Sequence, residues 1–325
     1  MANFAKLSKL KVALFKKGTE KEANPNRVES SNNMMTVLLK ELADQLSSTR
    51  FFILFSLIAL TGIVSFYSAA TNIRAATEDA VSQFILIRLF TTSGSSLPSF
   101  TWFLSILGPL VGLSMGFDAI NAEQNSGTMT RLLAQPIYRD DVINGKFLAR
   151  LFVLILITLA LGFFVAGMGI IITGVPPTGE EVMRLLLYLA LSIVYMGFWL
   201  ALAMLFSLMF RHTATSALCS MSLWLFFSIF VPILAGMVAD AIFPVTQSSD
   251  AMAQLYNIRL SQAISRLSPA TLYSEAAVTI LSPSVRTLGP VLLEQTYGAI
   301  SGFLPLGQSL LLIWPHITGL VAGTI

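Results

Sequence analysis

Six long runs of apolar residues, free of Asp, Glu, Lys and Arg, alternate with polar stretches along the chain. Crossing the hydrocarbon of a bilayer takes about 20 helical residues at about 1.5 Å each. Helices are expected because every backbone polar group must be hydrogen-bonded within its own segment in lipid. Residues 51–325 are therefore predicted to form an all-α membrane domain. Its six transmembrane helices are placed near 51–70, 99–117, 151–173, 185–209, 213–236 and 304–325.

The residues before the first span divide into two parts. Residues 1–33 are rich in Lys and then in Asn and Ser, and are predicted to be a basic, mobile tail. In residues 34–50, Met35, Leu39, Leu42 and Leu46 recur at helical spacing, with Glu41 among the polar residues opposite. This spacing predicts an amphipathic helix at the membrane surface. Fifty mostly polar residues are too many for the start of a cleavable signal, so span one is expected to be a signal anchor.

Composition excludes most other classes of protein. The 325 residues are 55% hydrophobic and 11% charged, whereas a soluble domain is roughly 25% charged. The one cysteine, Cys219, lies in an apolar run. No disulfide framework, metal cluster or catalytic constellation is expected, and His212 and His316 are interpreted as packing residues.

The distribution of basic residues predicts the orientation. With the N-terminus in the cytoplasm, 14 of the 20 Lys and Arg residues fall on the cytoplasmic side. This agrees with the positive-inside rule and predicts cytoplasmic termini. The chain stops inside the sixth apolar run, so the native protein is expected to continue beyond Ile325.

The loop of residues 118–150 is a compact polar segment that contains residues typical of helix starts, ends and caps. Asp118 and Glu123 suit the start of a helix, Gly127 its C′ position, and Thr128 the cap of a following short helix. Pro136 would end that helix, and Asp140 would cap a long helix leading into span three. A loop built in this way is stiff enough to transmit force.

The external loop of residues 240–303 is predicted to contain two short amphipathic helices. The first covers roughly 251–267. Ser268-Pro269 gives an N-cap followed by proline at the first helical position, and Ser282-Pro283 ends the second helix after about Ile280. These helices are expected to form a cap that lies on the bundle.

The sequence carries two motifs that resemble a known family. The first, in the 118–150 loop, comprises Phe117-Asp118, Glu123, Gly127-Thr128, Leu132-Leu133, Gln135-Pro136, Arg139 and Gly145-Lys146-Phe147. The second is the outer stretch from Leu267 to Ala276. Together they resemble ABC-2-type transporter permeases, in particular the branch associated with multi-copper enzyme maturation. One departure is Gln124-Asn125, where relatives often carry charged residues.

The resemblance implies a permease subunit of an exporter in the inner (plasma) membrane. Two copies would line a path, and separate ATPase subunits that hold ATP and magnesium would bind the 118–150 loop as a coupling helix. The residues carried over to ATPase coupling are Asp118, Glu123, Gly127, Thr128, Arg131, Gln135, Pro136, Arg139 and Lys146. The chain itself has no P-loop, because Gly145-Lys146 lacks the upstream glycine and the following Ser or Thr. We expect no cofactor, metal, enzymatic activity or nucleic-acid partner for this chain. Membrane lipid is an expected partner.

Two other classes of function remain open from the residues. An ion-coupled carrier usually keeps ionisable groups inside the membrane, and the six predicted spans contain none apart from two histidines. A scaffold or anchor protein needs no bundle that moves, and the Pro and Gly residues of spans two and five slightly disfavour it. Recovery of a P-loop ATPase with the chain from native membranes would favour the transporter.

Overall fold

The computed structural model describes residues 30–76, 84–92, 98–128, 139–245, 251–285, 288 and 303–324, without the side chains of 30–33, 68–76 and 85. All regular structure in these ranges is helical. The helices are α1 (Ser30–Leu46), α2 (Thr49–Ala76), α3 (Ile85–Thr91), α4 (Phe100–Gly116), α5 (Asn121–Asn125), α6 (Arg139–Thr173), α7 (Gly179–Met209), α8 (Thr213–Leu225), α9 (Val231–Ile242), α10 (Ala251–Ser265), α11 (Pro269–Leu281) and α12 (Leu306–Ala322).

Five stretches of helix in the described part are long and apolar enough to cross a membrane. They are Thr49–Tyr67, Phe100–Asn125, Arg139–Thr173, Gly179–Met209 and Thr213–Ile242. They coincide with the first five predicted spans. The sixth, α12, is apolar but has only 17 residues, fewer than the roughly 20 that a perpendicular crossing needs. The number of six spans therefore stays a prediction.

Helix α4 packs closely on α7 along a stripe of three glycines. A Cβ atom placed on Gly112 would lie 2.5 Å from the carbonyl oxygen of Met196, and one on Gly116 would lie 2.6 Å from the Cβ of Ala203. The small-xxx-small spacing of Gly108, Gly112 and Gly116 thus lets the two backbones touch. This contact forms the centre of the bundle.

The fifth long helix contains a wide turn. Residues Phe226–Phe230 form one π-helical turn between α8 and α9. Pro232 lies two residues after this turn. Because proline has no N–H group, it cannot donate a hydrogen bond to the regular helical ladder. The wide turn therefore lies directly before the proline-containing start of α9.

Helices α10 and α11 are joined by the turn of residues 266–268, and α11 differs from the expected surface cap. Their bounds agree with the prediction, and Pro269 starts α11, but the Ser268 side chain makes no capping hydrogen bond. Helix α11 packs between α7 and α12, with Tyr273 and Ala276 fully buried. It is buried because Tyr273 stacks on Tyr195 of α7, with ring centroids 4.2 Å apart.

Two ends of the bundle are distinguished below by their residues. One end, called the basic end after the side to which the sequence analysis assigns most Lys and Arg residues, carries α1, residues 117–128 and Arg211. The opposite end carries Glu180, Arg184 and residues 282–285 and 303–305. The tail of residues 1–29 and the rest of the external loop lie outside the described residues.

Candidate docking site

Residues 117–128 form a compact element at the basic end. After α4 ends, the chain turns into the short helix α5, and Gly127 then adopts a left-handed φ of 72°. This conformation is the one expected of a residue that ends a helix. The hydroxyl of Thr128 donates to the carbonyl oxygen of Glu123, so it provides a hydrogen-bond partner for a carbonyl group of α5. The short helix it was predicted to cap lies outside the described residues.

Backbone contacts fix this element to α7. The N–H groups of Ile120 and Asn121 both donate to the hydroxyl oxygen of Ser207, at 3.0 and 3.2 Å. The side-chain amide of Asn125 donates to the carbonyl oxygen of Arg211 at 3.0 Å. Because Ser207 is fully buried, its two bonds are shielded from water and hold the element on the end of α7, whereas the Asn125 bond is exposed.

A buried lysine joins the element to two other helices. Lys146 of α6 is 1% exposed, and its Nζ lies 2.7 Å from Glu41 Oε1 of α1 and 2.7 Å from Glu123 Oε1 of α5. An isolated buried ammonium is costly, but one bonded to two carboxylates is compensated. Lys146 therefore fastens α1, α5 and α6 at one point.

Arg150, one turn further along α6, extends the same network. Its Nε donates to the carbonyl oxygen of Met115 at the end of α4, and its Nη1 donates to that of Lys146. Nη1 also lies 3.4 Å from Glu41 Oε2. The arginine thus connects α4 and α6 to the carboxylate that Lys146 binds.

A more exposed ion pair adds two further charged residues to this network. Arg50, at the start of α2, binds the carboxylate of Asp118 and lies over the Phe117 ring, 5.7 Å from its centroid. Three basic and three acidic groups therefore balance within the element and its surroundings: Arg50, Lys146, Arg150, Glu41, Asp118 and Glu123. We call these six residues the charge clamp.

The predicted coupling residues fall into three groups. Asp118, Glu123 and Lys146 belong to the charge clamp and bind other parts of the same chain. Gly127, Thr128 and Arg139 are exposed at the basic end, while Arg131, Gln135 and Pro136 lie outside the described residues. The exposed face consists of residues 124–128, which we call the tip.

Asp140 lies in a different position from the one predicted. Helix α6 begins at Arg139, and both Asp140 and Asp141 lie in its first turn. Acidic side chains there interact favourably with the helix dipole. Asp140 therefore stabilises the start of α6 from inside the helix. The predicted and observed starts of the helix differ by only one or two residues, which is common for helix boundaries.

Sequence reasoning missed Glu41, Arg150 and Ser207. Glu41 was placed on the solvent side of the amphipathic helix, yet it is only 7% exposed. One signal was available: Lys146 and Arg150 are four residues apart and so share one face of α6. Val37 also packs there, since a Cβ on Gly145 would lie 3.0 Å from its Cγ1. Two cations on a face that packs against α1 require an acidic partner on that helix.

The long apolar helices are those of a multi-pass membrane protein, and the clamped polar element lies at one end of them. The family described as ABC-2 family transporter protein matches residues 35–314. The chain belongs to this family, which confirms the resemblance stated from the two motifs.

Two relatives support the expected branch. The chain is 29% identical over 196 residues to a probable ABC transporter permease protein NosY of Pseudomonas aeruginosa, covering 59% of this chain and 66% of that protein. It is 33% identical over 81 residues to the probable ABC transporter permease protein NosY of Stutzerimonas stutzeri, covering 25% and 29%. The chain therefore matches slightly under two thirds of the first relative and under a third of the second.

Proposed function

We propose that this chain is the membrane-spanning permease subunit of an ATP-binding-cassette exporter. Separate ATPase subunits, which hold the ATP and magnesium, dock on the 118–150 loop at the basic end. A second permease copy completes the path through the inner membrane, with the N-terminus in the cytoplasm. Family membership supports the class of function, and the names of the two relatives support an ATPase partner.

The observation that carries the proposal is the exposed tip on a charge clamp whose central Lys146 is buried. Residues 124–128 are all exposed, while Lys146 directly behind them is almost completely buried between two carboxylates. A partner that pushes on the tip therefore displaces α1, α4 and α6 together. An ordinary flexible loop would absorb such a push.

The test is capture of the partner from native membranes. Gln124 is exposed on the tip and its replacement leaves the clamp intact. We expect Gln124→Arg to reduce recovery of a P-loop ATPase with the tagged chain, because a bulky cation is placed on the docking face. Glu123→Arg is a poorer test, since it would also remove a ligand of Lys146.

The matched control is Pro176→Arg, an exposed position in the loop of residues 174–178. It adds the same charge near the opposite end, and recovery of the ATPase should stay at the level of the unmodified chain. Equal recovery with Gln124→Arg and with Pro176→Arg would place docking elsewhere. Consistent absence of any ATPase would reject the transporter proposal itself.

One observation favours a second candidate, a carrier that uses no ATPase. Arg266, Glu275 and His316 meet between α11 and α12, and carriers often hold ionisable groups at such depth. Family membership outweighs it. Transport by purified chain in ATP-free vesicles would reverse this order.

A further inference from the structure

An open groove runs along α8 beside the last turn of α7. Its volume is about 390 Å³, within the range of about 300–1,000 Å³ that small-molecule sites occupy. Its lining comes from one residue of α7 and from one continuous face of α8 and the π-helical turn: Phe206, Leu218, Cys219, Ser222, Leu223 and Phe226. Because Cys219 and Ser222 are small, they leave space between the larger apolar side chains around them.

The groove has the dimensions of a lipid acyl chain. From Leu218 to Phe226 the helix rises by about 12 Å, close to the roughly 15 Å that is half of the hydrocarbon core. Helix α8 begins at Thr213, at the basic end, and Phe226 is the first residue of the π-helical turn. The groove therefore descends from near the predicted cytoplasmic surface toward the middle of the membrane. It ends at a π-helical turn, a feature that is frequent at functional sites.

The helix that carries the groove is open to its surroundings. Of the five long apolar stretches in the described part, Thr213–Ile242 is the least covered, with 17% of its apolar window buried. Leu218, Ser222 and Phe226 are all exposed. In a membrane protein a surface of this kind contacts lipid chains or another transmembrane helix. The groove opens on this surface, so a lipid chain reaches it directly from the bilayer.

Two polar side chains are available at the basic end of the groove. Arg211 and His212 lie in the turn that precedes α8, and both are exposed. The ion pairs of the described residues do not include Arg211, and the His212 side chain makes no capping hydrogen bond. Residues 200–239 contain no Asp or Glu that would oppose an anion. About 8 Å of helical rise separates Thr213 from Leu218, which leaves room for a headgroup above a chain in the groove.

These features favour an anionic lipid over other occupants. A zwitterionic headgroup brings its own cation, which Arg211 repels. A second copy of the chain on the same face would have to bring a carboxylate to Arg211, and the acidic residues near the tip, Asp118 and Glu123, are already bound in the charge clamp. Basic pockets between transmembrane helices on the cytoplasmic side are known to bind anionic headgroups.

We propose that the groove binds one anionic phospholipid. One acyl chain lies along the face of α8 between Phe206 and Phe226, and the phosphate group contacts Arg211 and accepts a hydrogen bond from His212. The same turn supports the tip, because the side-chain amide of Asn125 donates to the carbonyl oxygen of Arg211. The lipid is therefore bound next to the tip. The site is a property of the permease chain and its membrane, and it does not depend on the proposed docking of an ATPase.

The test uses Cys219, the only cysteine of the chain, as a reporter of the groove that it lines. The purified full chain in dodecyl maltoside is titrated with dioleoyl phosphatidylglycerol or with dioleoyl phosphatidylcholine. Native mass spectrometry gives the number of retained lipids and the apparent Kd. In parallel, the rate at which N-ethylmaleimide modifies Cys219 is followed by mass spectrometry.

The headgroup contact is tested at Arg211. We expect phosphatidylglycerol to slow the modification of Cys219 about fivefold more than the same concentration of phosphatidylcholine, and Arg211→Gln to raise the apparent Kd for phosphatidylglycerol by a similar factor, which is the effect of one basic residue at an anionic surface. Arg211→Lys keeps the charge and should stay within about twofold. The matched control is Arg139→Gln, which removes an exposed arginine at the same end but outside the groove and should change the Kd by less than about twofold.

The chain contact is tested at Ser222. Ser222→Phe fills the groove and should weaken phosphatidylglycerol binding about fivefold or more, because the acyl chain loses its packing against the helix face. Gly236→Phe adds the same ring on α9, where the glycine has open space around it, and should leave the Kd unchanged. Should Ser222→Phe fail to fold, the Arg211 variants decide the matter, since that side chain is exposed.

Several outcomes overturn the lipid site. Equal protection of Cys219 by the two lipids removes the requirement for an anion. Equal losses in Arg211→Gln and Arg139→Gln reduce the effect to general attraction by the basic end. A Cys219 rate that falls with protein concentration and not with lipid assigns the groove to a second copy of the chain.

A control thiol separates occupancy of the groove from general shielding by lipid. In a Cys219→Ser background, Ser274→Cys is exposed on α11, and its modification rate should not depend on phosphatidylglycerol. Equal slowing at positions 219 and 274 overturns the site. None of these measurements involves an ATPase or a nucleotide, so failure of the lipid site and failure of the docking proposal are distinguishable.

Discussion

Replacing Lys146 by methionine tests whether the charge clamp holds the docking element in place. Methionine has a similar length and fills most of the same volume, so the change removes the charge with little loss of packing. It leaves Glu41 and Glu123 without the ammonium that lies 2.7 Å from each. Arg150, 3.4 Å from Glu41, compensates one of them in part.

The size of the effect follows from burial. Removing one partner of a buried ion pair costs about 3–5 kcal/mol, and Lys146 is 1% exposed. For a chain of this size such a loss corresponds to a fall in the unfolding midpoint of the order of 10 °C. The contrasting pair is Arg50 with Asp118, where the arginine side chain is 60% exposed. Exposed pairs contribute about 0–1 kcal/mol, so Arg50→Ala should lower the midpoint by about 2 °C or less.

The assay is thermal unfolding of purified chain in nanodiscs, followed by the loss of helical circular dichroism. The double variant Glu123→Gln/Lys146→Met should recover much of the stability, since Glu41 then keeps Arg150 and no carboxylate is left unpaired. If Lys146→Met lowers the midpoint no more than Arg50→Ala does, the buried Lys146 contributes no more than the exposed Arg50–Asp118 pair and our reasoning is wrong.

Three further predictions concern the bundle. Gly116→Ala should cost about 1–3 kcal/mol in the free energy of unfolding, because its Cβ would lie 2.6 Å from that of Ala203; Gly236→Ala, with open space around it, should be neutral or stabilising in the same thermal assay. Arg184→Gln should cost about 3 kcal/mol and lower the unfolding midpoint, since several buried acceptors lose a charged donor; an unchanged midpoint would contradict this reasoning. Tyr273→Phe should keep the ring stack and lose only the hydrogen bonds of the hydroxyl group. A fall in the free energy of unfolding above about 2 kcal/mol would show that more than these bonds is lost.

Local pattern was enough to predict most helices. The start of α11 at Pro269 and the first five long helices follow from proline position and from hydropathy, which are properties of neighbouring residues. Gly127 was also predicted to end a helix, because a residue with positive φ is most often glycine. These features are determined by residues that are close together in the sequence.

The charge clamp depended on partners far apart in sequence. Glu41 and Lys146 are separated by 105 positions, and only the packing of α1 on α6 brings them together. On the sequence alone, Glu41 was one polar residue among several on the outer side of an amphipathic helix. A carboxylate can be buried there only because two cations on α6 face it.

The burial of α11 was missed for a related reason. Spans were predicted from runs without charge, so Arg266 and Glu275 were assigned to an external loop. The structure pairs Arg266 with Glu275, and Glu275 with His316, and this compensation makes the position of the two charges inside the bundle acceptable. A hydropathy rule that treats each charge separately does not detect such pairs.

Helix α7 has a consequence of its own. It is a single stretch of 31 residues, about 46 Å long, and it contains no proline. Ser207 near one terminus accepts hydrogen bonds from the N–H groups of Ile120 and Asn121, while Arg184 near the other terminus donates to the carbonyl oxygen of Ile280 on α11. One helix without an internal proline therefore joins these two sets of contacts. In the transporter proposed above, a tilt imposed at one end of α7 would reach the other end without a break in the helix, and the cargo path would be operated by a subunit outside the bilayer.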